Sequence, residues 1–225
     1  MKAGLILVGT ELLNGGMLDT NSLYIAEELN KYGIEIEFKV TIRDFMDEII
    51  KTVDYGKKNV DLIIMSGGLG PTIDDITKEA IAKYLNRPLI VEENELKELK
   101  EKFERAKINF VDINVKEVEK PKGAISFRND AGMAPAIYID GIAAFPGVPK
   151  ELYNMLPKFL KWYSKEKNIN ADGIYIRDIL TFGLAESLLD QEIRDFFTED
   201  GIYYEFLVKN YGTIVRLQSK ESNKK

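Results

Sequence analysis

The sequence predicts an α/β fold, a doubly wound and mostly parallel sheet, with a small α+β domain at the C-terminal end. Three observations carry that prediction. Strand-like and helix-like patterns alternate at short intervals through the first half of the chain. The apolar run Val60–Met65 enters a glycine-rich turn, Ser66-Gly67-Gly68-Leu69-Gly70-Pro71-Thr72, ahead of a helical pattern. Beyond the polar stretch Lys165–Asp172 the pattern changes to strand, helix, strand, strand. A β-α-β-α-β-α order builds a parallel sheet through right-handed crossovers. The change of pattern divides the chain into domains at 1–165 and 172–220.

In chain order, Leu5-Ile6-Leu7-Val8 reads as a buried strand. Asp19-Thr20-Asn21-Ser22 then supplies N-cap chemistry for a helix with Leu23, Ile25, Ala26 and Leu29 at helical spacing. Gly33 ends that helix, and Ile34–Val40 alternates as a half-buried strand. A second helix spans Met46–Lys57 and the third strand Val60–Met65. A third helix starts at Asp74 and reaches Leu85. Glu92–Lys107 is a charged surface helix. Ala136–Phe145 is a hairpin around Asp140-Gly141. Pro146-Gly147-Val148-Pro149 turns the chain into a helix with Leu152, Met155, Leu156, Phe159 and Leu160 inward. In the second domain Ile174–Leu180 is extended and Ala185–Phe197 helical. Ile202–Lys209 pairs across Asn210-Tyr211-Gly212 with Thr213–Gln218, and the tail from Ser219 is frayed.

Composition narrows the chemistry. The 225 residues contain neither cysteine nor histidine. That excludes disulfides, thiolate nucleophiles, imidazole bases and imidazole-bound zinc. Any metal is held by oxygen, which favours Mg²⁺, Mn²⁺ or a similar hard ion. A net charge of −6 speaks against nucleic-acid partners. No apolar run approaches the roughly 18 residues that cross a bilayer, and the N-terminal run is too short for a signal peptide. No membrane partner and a cytoplasmic location are expected. The apolar strand Ile202–Val208 is an edge on which a homo-oligomer can form.

In open α/β sheets ligands bind beyond the carboxyl ends of the strands. Gly9-Thr10-Glu11, Asp44 and the Gly67–Thr72 loop all fall at such ends. Glycines let backbone amides approach an anion, and the helix that follows adds its positive end. Asp74 and Asp75 stand where a phosphate and a divalent cation meet. The loop lacks the Gly-Lys-Ser/Thr of a Walker motif and the spacing of a dinucleotide fingerprint. Alternatives stay open for several residues. Thr72 with Asp75 fits a capping box, Asp19-Thr20-Asn21 fits a plain N-cap cluster, and Glu11 suits either a metal or a ribose. Lys78 either offsets charge on a leaving phosphate or lies on a solvated helix face.

Taken in order, Gly9-Thr10-Glu11-Leu12-Leu13, Asp19-Thr20-Asn21, Ser66 to Thr72 with Asp74-Asp75 and Thr77-Lys78-Glu79, and Pro146-Gly147-Val148-Pro149 with Glu151 form one specific set. Asn114, Lys116, Pro121, Gly123-Ala124, Asn129, Gly132 and Ala134-Pro135 add a middle region. The set resembles the N-terminal domain of the competence/damage-inducible protein CinA family, itself similar to the molybdopterin-binding domain of molybdenum-cofactor biosynthesis proteins. The resemblance covers residues 1–163, and 172–220 resemble the small KH-like domain that follows in that family.

The resemblance implies a metal-dependent hydrolase that splits the pyrophosphate of ADP-ribose into AMP and ribose 5-phosphate. A carrier that holds a nucleotide or molybdopterin in the same pocket without turnover is the alternative. On the enzyme reading Asp74, Asp75 and Lys78 are catalytic, and Asp74, Asp75, Glu11 and Asp44 hold a divalent cation (Mg²⁺, Mn²⁺ or Co²⁺). Gly9, Thr10, Asn21, Ser66, Gly67, Gly68, Leu69, Gly70, Thr72, Asn129, Ala134, Pro135, Pro146 and Gly147 contact the small nucleotide substrate. Full-length relatives continue into a nicotinamide-nucleotide deamidase domain that this sequence does not reach, so no deamidase activity is expected of it. The KH-like segment offers only Gly183-Leu184-Ala185-Glu186, with Asp190, Glu192 and Asp195 nearby, where an RNA-binding module needs Gly-x-x-Gly.

Overall fold

The computed structural model describes residues 1–169, 173–196 and 201–220. The chain forms two units: Met1–Leu29 with Glu35–Lys167, and Asn30–Ile34 with Asn168–Lys225. In the first, β1 (Lys2–Val8) runs into the single turn α1 (Thr10–Leu13) and the helix α2 (Asn21–Asn30). β2 (Glu35–Ile42), α3 (Met46–Asn59), β3 (Leu62–Ser66) and α4 (Thr77–Tyr84) follow. Next come β4 (Leu89–Ile90), α5 (Glu93–Ala106), a 3-10 segment Asp112–Val118, β5 (Lys120–Pro121) and β6 (Ile125–Phe127). β7 (Ala136–Ile139), β8 (Ile142–Phe145) and α6 (Pro149–Glu166) close the unit.

Six strands form the main sheet in the order β2-β1-β3-β8-β7-β6. β1 pairs in parallel with both β2 and β3, and β3 in parallel with β8. The β6–β7 and β7–β8 pairs are antiparallel. β1 and β3 are buried along almost their whole length, as parallel strands covered on both faces must be. One face carries Ile6, Val8, Ile63, Met65 and Ala144 against Ile49 and Val53 of α3 and Ile81 of α4. On the other face Phe145 meets Phe159 of α6 with ring centroids 5.6 Å apart.

The sequence pattern accounts for most of these elements. The predicted inner face of α6 is fully buried, and Pro149 stands at its start, where its missing N–H costs nothing. Pro157, inside α6, leaves the Tyr153 carbonyl without its helical donor, and the Tyr24 hydroxyl donates to it at 3.5 Å. Asp140 (φ 46°) and Gly141 (φ 82°) make the left-handed pair that a two-residue hairpin requires.

Three expectations need correction. The helix expected from Asp74 begins at Thr77, because residues 72–75 close a turn of their own. Leu23 is 64% exposed; α2 buries Ile25 and Leu29 instead. The last strand continues through Lys220 rather than fraying at Ser219. The expected helix end at Phe197, the boundary residues 170–172 and the tail 221–225 lie outside the described residues.

The second unit contains β9 (Ile174–Thr181), α7 (Glu186–Ile193) with a 3-10 turn Arg194–Phe196, β10 (Ile202–Lys209) and β11 (Gly212–Lys220). Its antiparallel sheet has the order β10-β11-β9, so β10 stands at an edge. Arg216 grips Asp178 with two bonds of 2.8 and 2.9 Å across the β11–β9 pair. Among the described residues no helix is long and apolar enough to cross a membrane.

Candidate functional site

Because β1 lies between β2 and β3, the sheet grows in opposite directions on its two sides, and a crevice opens at the carboxyl ends of β1 and β3. Gly9 follows β1, Gly67 follows β3, and Pro146 follows β8, so the three turns share one rim. Backbone bonds tie two of these turns to the end of a neighbouring strand: Gly9 N–H donates to the Ile42 carbonyl of β2 and Gly67 N–H to the Phe145 carbonyl of β8, each at 3.0 Å.

The glycine loop is shaped by close approaches. Gly67 (φ 109°) and Gly68 (φ 71°) occupy left-handed backbone regions. A Cβ on Gly67 would collide with the Val8 carbonyl, and one on Gly68 with the Thr77 hydroxyl. Thr77 then locks the loop, its hydroxyl donating to the Gly67 carbonyl at 2.8 Å and its amide to the Gly68 carbonyl at 3.1 Å. Among the described residues the amides of Gly68, Leu69 and Gly70 donate to no backbone carbonyl. Successive backbone amides without carbonyl partners are the kind of groups that can receive an anion.

Asp75 works within this loop. Its carboxylate accepts the Thr72 amide at 3.0 Å and the Thr72 hydroxyl, and a Cβ on Gly70 would run into it. The pair is no helix cap, since α4 starts only at Thr77. Asp74 is exposed beside it. Lys116 holds the loop from outside, donating to the Thr72 carbonyl at 2.8 Å and pairing with Glu79 at 3.1 Å.

Lys78 is 1% exposed, which rules out the solvated-face reading. Its ammonium donates to the Leu69 carbonyl at 3.0 Å and to the Lys116 carbonyl, and burial lowers its pKa to about 8. The cation thus reaches the glycine loop from beneath, through the loop's own backbone. Glu117, also buried, has its carboxyl pushed upward by desolvation.

On the β1 side, Asp44 accepts the Thr10 amide at 2.8 Å and the Thr10 hydroxyl at 3.0 Å. Asn21 donates to the Ser66 hydroxyl at 3.0 Å and to the Gly147 carbonyl at 2.7 Å, and Ser66 donates to the Pro146 carbonyl at 3.4 Å. Asp19 caps α2 through the Ser22 amide at 2.9 Å, which bears out the N-cap reading for that residue. Glu11, Asn21, Ser66 and Gly147 line one cavity of about 40 Å³.

Asn129 and its neighbours are placed differently from expectation. Asn129 is fully buried, donating to the Ala134 carbonyl at 2.8 Å and to Glu151 at 2.6 Å while accepting the Ala131 amide at 3.0 Å. With its polar groups satisfied internally, it holds the 129–134 turn in place of contacting a base or ribose. Ala134 is buried with it, and Asn129 and Pro135 line a separate cavity of about 130 Å³ that shares no residue with the Glu11–Asn21 cavity. Lys102 was not singled out by the sequence, yet it donates to the Asn129 carbonyl at 2.5 Å and the Gly132 carbonyl at 3.2 Å. A lysine in a charge-rich helix gives no sign of such a task.

The four expected cation ligands do not converge. Among the described residues no three acidic side chains come together as a metal site. Asp44 and Asp75 each give one oxygen, Oδ2, to a threonine, Thr10 and Thr72 respectively. What fits is a narrower arrangement: Mg²⁺ commonly takes one or two carboxylates and fills its shell with substrate phosphates and water. The exposed Asp74 and the second oxygen of Asp75 match that donor set.

The family described as probable molybdopterin binding domain matches residues 4–165. A CinA-like protein of Fusobacterium nucleatum is 64% identical over 225 residues, which is all of this chain and 56% of that protein. The chain thus spans about half the length of the curated relatives it matches. Among solved structures, the CinA protein of Thermoplasma acidophilum aligns with a TM-score of 0.65 and 31% identity, covering 73% of this chain and 96% of that one. The MoaB molybdopterin biosynthesis enzyme of Thermus thermophilus aligns at a TM-score of 0.50 and 20% identity over 73% of this chain and 92% of its own, a likeness of fold. With the glycine loop, the Asp74-Asp75 pair and the Pro146–Pro149 turn set on a sheet of this kind, the chain belongs to the CinA-like family with a molybdopterin-binding-type domain.

Proposed function

We propose that the chain hydrolyses the pyrophosphate of ADP-ribose, releasing AMP and ribose 5-phosphate. One observation carries the reading: three amides, Gly68 to Gly70, stand without backbone acceptors at the carboxyl end of β3, directly before two aspartates. The amides would hold the pyrophosphate oxygens, while buried Lys78 supplies positive potential from below the loop. A divalent cation held by Asp74 and Asp75 would offset phosphoryl charge and acidify the attacking water. With no histidine or cysteine in the chain, the Asp74 oxygen turned away from the cation would accept the water's proton. Thr72 orients Asp75 toward the loop through its amide and hydroxyl.

One observation favours a carrier that binds without turnover. Asp75 already has a structural partner in Thr72, so a part in holding the loop's shape accounts for it without catalysis. The assay that separates the two is AMP release from ADP-ribose with Mg²⁺, Mn²⁺ or Co²⁺, on wild type and Asp75→Asn. The enzyme reading expects turnover in the wild type and a loss of at least about a hundredfold in the variant, with its melting temperature within a few degrees of wild type. ADP-ribose binding without AMP release under any of the three metals supports the carrier instead.

A further inference from the structure

β10 is a sheet edge without the usual protections. β11 occupies one side of it, and among the described residues no strand pairs with the other side. Its eight residues include no proline or glycine, and its register against β11 runs without a bulge from Ile202 to Lys209. Edges left open to water are normally blunted by a bulge, a proline or an inward charge. This one instead shows Tyr203 and Val208, 73% and 67% exposed, on its two faces.

The hairpin fixes which peptide groups the edge offers. The turn Asn210-Tyr211 joins Lys209 to Gly212, which pair with each other. Alternation along the antiparallel pair then directs the peptide groups of Glu205, Leu207 and Lys209 to β11, and those of Phe206 and Val208 outward. An added strand bonds only to outward groups. A second β10 must therefore set even-numbered residues opposite even-numbered ones, which keeps each side chain on its own face across the seam. Charge selects one of those registers. Two-fold antiparallel pairing centred on Leu207 sets the exposed Glu205 opposite the second copy's exposed Lys209, twice, and Phe206 opposite Val208. Centring on Glu205 would oppose two carboxylates. Centring on Phe206 or Val208 would set each charge against a leucine or a tyrosine.

We infer that β10 is a self-association seam, on which two copies of the chain pair their β10 strands antiparallel about Leu207 and join two three-stranded sheets into one of six strands. The same patch serves on both sides, so the contact closes at the dimer. Nothing in the inference depends on what the glycine loop binds.

Sedimentation equilibrium of the 225-residue chain, combined with thiol cross-linking, tests it. Wild type is expected to show a monomer–dimer equilibrium. Lys209→Glu brings two pairs of carboxylates together and should weaken the dimer at least about tenfold, and adding Glu205→Lys should restore most of that loss. The chain has no cysteine, so Leu207→Cys supplies one thiol per copy. In the inferred register the two Leu207 positions form a non-hydrogen-bonded pair with Cα atoms about 4.5 Å apart, within reach of a disulfide. Mild oxidation should link Leu207→Cys into a covalent dimer at least about ten times faster than Val208→Cys, whose thiols lie out of register. A wild type that stays monomeric up to about 1 mM overturns the seam, as do assemblies larger than a dimer. So does a dimer that ignores the charge exchange, or equal cross-linking of the two cysteine variants. Should Leu207→Cys fail to fold, the charge exchange decides alone.

Discussion

Lys78 offers a quantitative test of how the anion loop is supported. Its ammonium is almost wholly buried and, among the described residues, satisfied only by the carbonyls of Leu69 and Lys116, so its pKa falls from 10.5 to about 8. The folded state then binds fewer protons than the unfolded state between pH 8 and 10.5, and stability must rise with pH across that window. Below pH 8 both states are protonated and the full burial penalty acts against folding. With these two values, linkage gives a gain of about 2.5 kcal/mol on going from pH 7 to pH 10. Lys78→Met removes the titration and keeps most of the side-chain volume. Trp162, the chain's single tryptophan, lies on α6 against the rings of Tyr138 on β7 and Phe127 on β6 and reports unfolding by fluorescence. Urea unfolding of wild type and variant from pH 7 to pH 10 isolates the residue, because other titrating groups cancel in the difference. Wild type should gain on the variant by about 2.5 kcal/mol over that range. A difference that stays flat refutes the buried-cation description.

Two further substitutions probe the frame of the site. Asn129→Ala removes three internal hydrogen bonds and strands the Ala134 carbonyl, so thermal unfolding should show a loss of about 2–4 kcal/mol. A loss under 1 kcal/mol in the same experiment would indicate that the 129–134 turn is held by other contacts. Gly67→Ala places a methyl group against the Val8 carbonyl at a left-handed φ, and denaturant unfolding should show more than about 2 kcal/mol of destabilisation. Full wild-type stability there would mean that the loop does not press on β1.

Much of the fold was legible because local pattern and tertiary outcome agree. The inward stripe of α6, the Asp140-Gly141 hairpin and the unbroken apolar strands each follow from period and turn chemistry. The site was legible in part. Gly67 and Gly68 announce a close approach, but nothing in the sequence shows that Val8 and Thr77 are the neighbours. The early helix start at Asp74 failed because Thr72 and Asp75 satisfy each other in a turn, leaving Thr77 to begin α4. Lys78 reads as a surface lysine, since its acceptors are backbone carbonyls 9 and 38 residues away and carry no residue-type signal. Asn129 entered as a ligand contact only through the family resemblance; its partners are the Ala131 amide, the Ala134 carbonyl and a glutamate on α6, none of them adjacent in sequence. The separation of Glu11 and Asp44 from the Asp74-Asp75 pair depends on side-chain directions that strand ends alone do not fix.

The proposed hydrolysis requires the Gly68–Gly70 amides to hold the phosphates of the ligand. Amide NMR spectra of the ¹⁵N-labelled chain, titrated with ADP-ribose in the presence of Mg²⁺, test it most directly. The Gly68, Leu69 and Gly70 resonances should move together and saturate with one binding constant. Shifts confined to residues around Asn129 and Pro135, with the three loop amides unmoved, would contradict it.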